Sequence, residues 1–316
     1  MRIAFAGTPA LAVPVLRALA EAGHECVVVV TAPDRPAGRG HRLQPPPVKV
    51  EALRRNMRVL QPDNVNAPDI LILLRALAPD IMIVMAFGQK LGPELLNLPT
   101  HGCLNVHPSL LPKYRGAAPV AWALMRGEDE TGVTIYRMNE RMDAGDILLQ
   151  QRVRILPGET AGALSVRLAE LGGELAVTAL DLIASGRASW QPQNEAAATY
   201  ARALRKEDGV VCWEQPARQI ENLVRAMTPW PGAFTFHHVA GGATQRIILL
   251  KVRARDDLHG SPGVVLQADG KGLVVGAGGG AVELLELKPA GGKAMAGPAF
   301  VRGHHVAPGE RFGPER

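Results

Sequence analysis

Asn105 and His107 stand two apart in Asn105-Val106-His107-Pro108-Ser109-Leu110-Leu111-Pro112, where a run over 101–107 reads as a strand. Alternate residues of a strand share a face, so an amide and an imidazole are aimed into one place. Further on, Met142-Asp143-Ala144-Gly145-Asp146 forms an acidic turn between two expected strands, 133–138 and 147–155, and can return a carboxylate to the imidazole. Such a set suits acyl transfer to an amine. As the amine attacks, charge collects on the carbonyl oxygen, and an Asn amide and a His N–H can donate to it. A carboxylate can fix the tautomer of the ring and help to take the amine's proton. No nucleophilic Ser or Cys is needed if the acyl group moves directly. Ser109 lies close by, but no GxSxG elbow surrounds it, so a serine-hydrolase reading is weak. A lone strand-end histidine also has a purely structural reading.

These side chains need a scaffold. Residues 2–6, 26–31, 80–86 and 101–107 read as short apolar strands, Val27-Val28-Val29-Val30 being typical of a strand buried on both faces. Helical stretches run to about Ala22, then over 67–77, 117–126 and 160–185. The alternation predicts an α/β fold: an open, mostly parallel, Rossmann-like sheet. The first βα turn, Gly7-Thr8-Pro9, lacks GxGxxG, which argues against a dinucleotide there. The later Gly276-Ala277-Gly278-Gly279-Gly280 lies between two strand-like runs and reads as a hairpin turn. Residues 31–47 show no regular pattern, are rich in Pro and Gly, and hold Arg35, Arg39, His41 and Arg42 against the single acid Asp34. This reads as a mobile basic loop at the carboxyl end of the second strand, where ligands of open α/β sheets sit, or as a plain surface loop.

The pattern changes near Arg187. The division expected is a catalytic domain over 1–188, a polar linker over 189–208 and a C-terminal domain over 209–316. In the last, one helix (215–227) precedes about five short strands at Gly, Asp and Pro turns, as in a small OB-like β-barrel of the kind that handles nucleic acid.

Hydrophobic residues make up 47% of the 316 and charged residues 21%, which excludes a disordered chain. Residues 1–60 carry nine Lys and Arg against four Asp and Glu, residues 61–190 eleven against fourteen, and residues 191–316 fifteen against twelve. Basic ends around an acidic middle suit a polyanionic partner, or only a solvated surface. Cys26, Cys103 and Cys212 are isolated and show neither metal-ligand spacing nor a disulfide framework, so no metal and a reducing cytoplasm are expected. Gly7, Pro9, Pro14 and Arg17 interrupt an N-terminal stretch that otherwise mimics a signal peptide. No apolar run reaches membrane-spanning length, and no apolar heptad or edge patch is readable, so a monomer is expected.

Asn105–Pro112 with Arg115-Gly116-Ala117-Ala118-Pro119, completed by Asp143-Ala144-Gly145-Asp146, resembles the signature of the 10-formyltetrahydrofolate-dependent formyltransferases. Members acting on sugar nucleotides or ribonucleotide amines share Asn-x-His and the later Asp. The loop Pro33-Asp34-Arg35-Pro36-Ala37-Gly38-Arg39-Gly40 is similar to the insertion with which the branch acting on methionyl-initiator tRNA contacts the acceptor end. Tyr200-Ala201 with Leu204 and Lys206-Glu207 resembles that branch's linker, and 287–295 the end of its C-terminal barrel. The resemblance implies formyl transfer from 10-formyltetrahydrofolate. Asn105 and His107 would stabilise the tetrahedral intermediate, and Asp143 would orient His107 and relay the proton. Ser109, Leu110, Leu111 and Pro112 would line the folate pocket, and Phe87, Gly88 and Gln89 would offer backbone contacts. Arg35, Arg39, Arg42 and Lys206 would hold tRNA, with Lys251, Arg253 and Arg255 adding contacts from the barrel. Tyr114 and Pro108 depart from the family pattern and are expected to leave the chemical groups untouched. A small amine acceptor, or an RNA-binding module without catalysis, are the competing readings. The intact Asn105/His107/Asp143 set counts against the second.

Overall fold

The computed structural model describes residues 1–37, 42–238 and 244–315. The chain divides into two compact units, one of Met1–Pro119, Glu130–Arg154 and Ser165–Ala201, the other of Val120–Asp129, Ile155–Leu164 and Arg202–Arg316.

The first unit is built on a seven-stranded sheet. Its strands in chain order are β1 (Arg2–Gly7), β2 (Glu25–Val30), β3 (Val59–Leu60), β4 (Ile81–Met85), β5 (Cys103–His107), β6 (Glu130–Arg137) and β7 (Ile147–Arg154). They lie in the order β7-β6-β5-β4-β1-β2-β3. The five from β5 to β3 are parallel, while β6 and β7 run antiparallel at one edge. At the centre, β4 and residues 3–6 of β1 are apolar and buried throughout because both of their faces are covered. The order reverses beside β1, and β5 ends on the carboxyl edge where ligands of such sheets bind.

Helices α1 (Val13–Glu21), α2 (Pro47–Arg54), α3 (Pro68–Leu77) and α4 (Ala161–Ala184) belong to this unit, α4 through all but its first turn. Gly172 and Gly173 interrupt α4 where its backbone presses on its neighbours. A Cβ on Gly172 would lie 2.7 Å from the Val106 side chain, and one on Gly173 2.8 Å from Ala18. The pair forfeits about 1 kcal/mol of helix propensity per residue. In return α4 packs directly behind the strand that carries Asn105 and His107.

Helix α2, which no apolar periodicity had marked, is tied to α1 by charge. Glu51 is buried and accepts hydrogen bonds from Arg17, Arg54 and Arg55. The Arg54 guanidinium first, then Arg17 and Arg55, hold its carboxyl far below the usual carboxylate range. Removing the charge leaves three guanidiniums around a buried neutral group, so Glu51→Gln is expected to destabilise the protein by about 3 kcal/mol at neutral pH. Because the native value is depressed, this contribution is complete above the unfolded value of about 4.3 and fades as pH falls below it. Urea unfolding at pH 7 and near pH 3 should show the gap between wild type and variant narrowing in acid, and equal stability at pH 7 would contradict the assignment.

In the second unit β8 (Ala233–His238), β9 (Thr244–Arg255), β10 (Val265–Ala268), β11 (Leu273–Gly276), β12 (Ala281–Pro289) and β13 (Arg311–Gly313) form an antiparallel sheet in the order β10-β11-β12-β9-β8-β13. Val264 pairs with Arg311, and the Val265 N–H donates to the Glu310 carbonyl, which nearly closes the sheet into a barrel. Alternate residues such as Ile247 and Leu249 of β9, and Val282 and Leu284 of β12, point inward and fill it. The 276–280 stretch is the turn of the β11–β12 hairpin, as its sequence suggests. The closing strand β13 has three residues, too few for alternation to show.

Residues 31–37 and 42–47 are more regular than expected. Arg35–Ala37 and Arg42–Gln44 pair as an antiparallel ribbon, and at its base Asp34 takes Lys49 and Gln61 as partners. Backbone pairing here needs no apolar pattern, which is why the sequence shows none.

Candidate active site

Asn105 and His107 leave the same face of β5, opposite Tyr136 and Thr134 of β6. The loop after β6 brings back Asp143, whose backbone takes a positive φ of 49°. The three residues singled out from the sequence therefore meet. The link between His107 and Asp143 is nonetheless longer than a hydrogen bond, with His107 Nδ1 3.8 Å from Asp143 Oδ2.

Each group has a closer partner. His107 is buried, and its Nε2 lies 3.0 Å from the Tyr114 carbonyl oxygen. A carbonyl only accepts, so Nε2 carries a proton, and Nδ1 is the nitrogen turned to Asp143. Tyr114 thus does touch the chemical groups, against expectation, through its main chain rather than its ring. Asp143 Oδ2 accepts the Gly116 N–H at 2.6 Å, and Oδ1 accepts the Tyr136 hydroxyl at 2.6 Å. Gly116 has φ +117°, and a Cβ there would sit 2.6 Å from the Ala201 carbonyl oxygen, so only glycine brings this N–H to the carboxylate. The Asn105 amide donates to the Tyr136 hydroxyl oxygen at 3.1 Å. Burial, and then the Asp143 carboxylate beside it, hold the Tyr136 phenol well above the ordinary tyrosine range.

The acidic loop is fixed from behind by residues of the expected linker. Gln193 donates to the carbonyls of Asp143 and Gly145, both at 2.8 Å, and accepts from Arg115. Arg115 is buried and pairs with Glu195, whose carboxyl its guanidinium pulls down to about 2. Tyr200–Ala201 runs parallel to Arg115–Gly116. The polar side chains of this stretch thus brace the acidic loop.

The other expected site residues fall in three places. Ser109 is buried and donates to the Lys113 carbonyl; Leu111 donates its N–H to Thr134, and Gln150 holds the Leu111 carbonyl, so the turn from Ser109 through Leu110 to Pro112 is pinned beside β5. Phe87, Gly88 and Gln89 follow β4; the Phe87 carbonyl accepts from Thr8, and the Gln89 side chain bonds Val65 N and the Pro62 carbonyl. Arg35 and Lys206 are exposed, Lys206 on the second unit. Arg39 and the Arg42 side chain lie outside the described residues. On the barrel Lys251 is exposed, whereas Arg253 faces Glu283 and Arg255 pairs with Asp257 and Glu283. Among the described residues no group of His, Cys, Asp and Glu could hold a metal ion, and no helix is long and apolar enough to cross a membrane.

An amide, an imidazole and an anchored carboxylate at the end of an α/β sheet suit one-carbon acyl transfer. Residues 1–180 match the formyl transferase family and residues 203–305 the formyl transferase C-terminal domain, which sets the class. Methionyl-tRNA formyltransferase of Moorella thermoacetica is 46% identical over 314 residues, covering 99% of each chain. That of Anaeromyxobacter dehalogenans (strain 2CP-1) is 49% identical over 298 residues, 92% of this chain and 94% of the relative. The chain belongs to the methionyl-tRNA formyltransferase family. In fold alone it is also similar to HypX from Aquifex aeolicus, crystallised with tetrahydrofolic acid, with a TM-score of 0.62 and 22% identity over 96% of this chain. The chain spans about half the length of that structure, 47%.

Proposed function

We propose that the chain transfers the formyl group of 10-formyltetrahydrofolate to the α-amine of methionyl-initiator tRNA, giving N-formylmethionyl-tRNA for translation initiation. The convergence of Asn105, His107 and Asp143 on the carboxyl edge of the sheet carries this reading, with the full-length relatives behind it. The amine nitrogen attacks the formyl carbon, the bond from that carbon to N10 of the folate breaks, and the proton lost by the amine ends on N10. The Asn105 amide donates to the formyl oxygen as charge collects there. With Nε2 committed to Tyr114, Nδ1 is the working nitrogen of His107, and when protonated it donates to the same oxygen. Asp143 takes the amine's proton and passes it on.

The turn from Ser109 through Leu110 and Leu111 to Pro112 lines the folate pocket, and Phe87, Gly88 and Gln89 add main-chain contacts. Arg35, Arg39, Arg42 and Lys206 hold the tRNA through its phosphates. Residues 1–188 carry the chemistry and 209–316 the remaining RNA contacts, joined by 189–208. The protein works as a monomer in the cytoplasm, with which three cysteines in no disulfide agree.

Incubation with the formyl folate and either methionyl-initiator tRNA or a sugar-nucleotide amine tests this. Formylated methionyl-tRNA is the expected product, and exclusive formylation of the sugar nucleotide would refute the acceptor. Raising salt from 50 to 200 mM is expected to weaken tRNA binding about tenfold or more through counterion release, while folate binding stays level. A flat response for tRNA would remove the basic residues from its recognition.

A further inference from the structure

We infer that Tyr136 is a positioning residue for this transfer: its phenol oxygen joins the Asn105 amide to the Asp143 carboxylate and holds both in working orientation. The inference rests on the function proposed above and adds a fourth side chain to it.

The geometry is directional. An ionised carboxylate only accepts, so the Tyr136 hydroxyl hydrogen points at Asp143 Oδ1, 2.6 Å away. The phenol oxygen then has only lone pairs to offer Asn105, and the amide answers with Nδ2 at 3.1 Å. This choice fixes which way the amide is turned and leaves its second N–H for the formyl oxygen. Without the phenol, the amide loses the partner that tells its two ends apart, and Asn105 can present Oδ1, an acceptor, to an oxygen gaining negative charge. The carboxylate meanwhile keeps the Gly116 N–H on Oδ2 but loses its anchor on Oδ1.

Tyr136 is suited to hold and not to react. It is 1% exposed and sits directly across from Asn105 in the β5–β6 register. Burial and the neighbouring carboxylate keep the phenol protonated, so it neither takes the amine's proton nor passes one on. Its part is a fixed dipole between the group that stabilises charge on oxygen and the group that collects the proton. A single atom in that place couples the two halves of the reaction.

The test is the variant Tyr136→Phe, in which the ring stays and the hydroxyl goes. Losing a hydrogen bond to a charged group is expected to lower kcat about ten- to a hundredfold, with KM for donor and acceptor changing by less than about threefold. In double variants the loss is expected to be far less than multiplicative with Asp143→Asn or Asn105→Ala, since these break the same chain of hydrogen bonds. A fluorotyrosine at position 136, which keeps the hydroxyl and nearly the same volume, is expected to retain turnover within about threefold. A kcat for Tyr136→Phe within about twofold of wild type, a fully multiplicative double variant, or an equal loss with fluorotyrosine overturns the inference. A wild-type protein that formylates methionyl-tRNA alongside such results leaves the proposed function intact, whereas one that formylates nothing overturns that function first and the role of Tyr136 with it.

Discussion

Asp143→Asn is expected to lower turnover by about 10²- to 10⁴-fold, the size of effect seen when a positioned acid–base or orienting carboxylate is lost. The carboxylate accepts on both oxygens, from the Gly116 N–H and from the Tyr136 hydroxyl. An amide can accept on one side only and turns its NH2 toward a donor on the other. The substitution therefore removes the base and one of its two side-chain anchors, while the loop keeps its main-chain bonds to Gln193. The frame behind that loop, built by Gln193, Arg115 and Glu195, stays in place. Folate affinity and unfolding temperature are thus expected to change little, and near-normal turnover would take Asp143 out of the mechanism.

Asn105→Ala is expected to lower kcat by about 10²- to 10³-fold, the usual result of deleting one donor to a developing oxyanion. The loss belongs to the transition state, because a formyl oxygen in the ground state carries too little charge to use that donor fully. KM for either substrate should accordingly move much less than kcat. Parallel changes in KM and kcat/KM at constant kcat would instead place Asn105 in uniform substrate binding.

The sequence made part of this site legible and hid the rest, and the division follows from range. Asn105 and His107 are two residues apart on one strand, so alternation alone puts them on one face. Asp143 lies in the nine-residue connection between two strands that pair with each other, so its ends return to the same edge of the sheet. Tyr136 carries no such signal, although the run over 133–138 reads as a strand. Whether Tyr136 or its neighbour faces Asn105 depends on the pairing register, and a shift of one residue would turn it to the opposite face. The Tyr114 carbonyl and the Gly116 N–H were invisible for a related reason: main-chain groups carry no sequence signature. The composition of residues 191–201 does not reveal that Gln193 and Glu195 bind the loop and Arg115. In the fold, the buried parallel strands were plain from their apolar runs. Helix α2, held by the charges around Glu51, and the three-residue strand that closes the barrel were not.

One turnover with a carbon-13 formyl folate and methionyl-initiator tRNA, followed by mass spectrometry of the terminal aminoacyl-adenosine and of the protein, tests most directly whether the formyl group passes straight from folate to amine at this site. One label is expected on the methionine nitrogen of each tRNA, with none on any protein side chain at any time. Label that appears on the protein and leaves at the rate of turnover, or that is released as formate while the methionine amine stays unmodified, would contradict it.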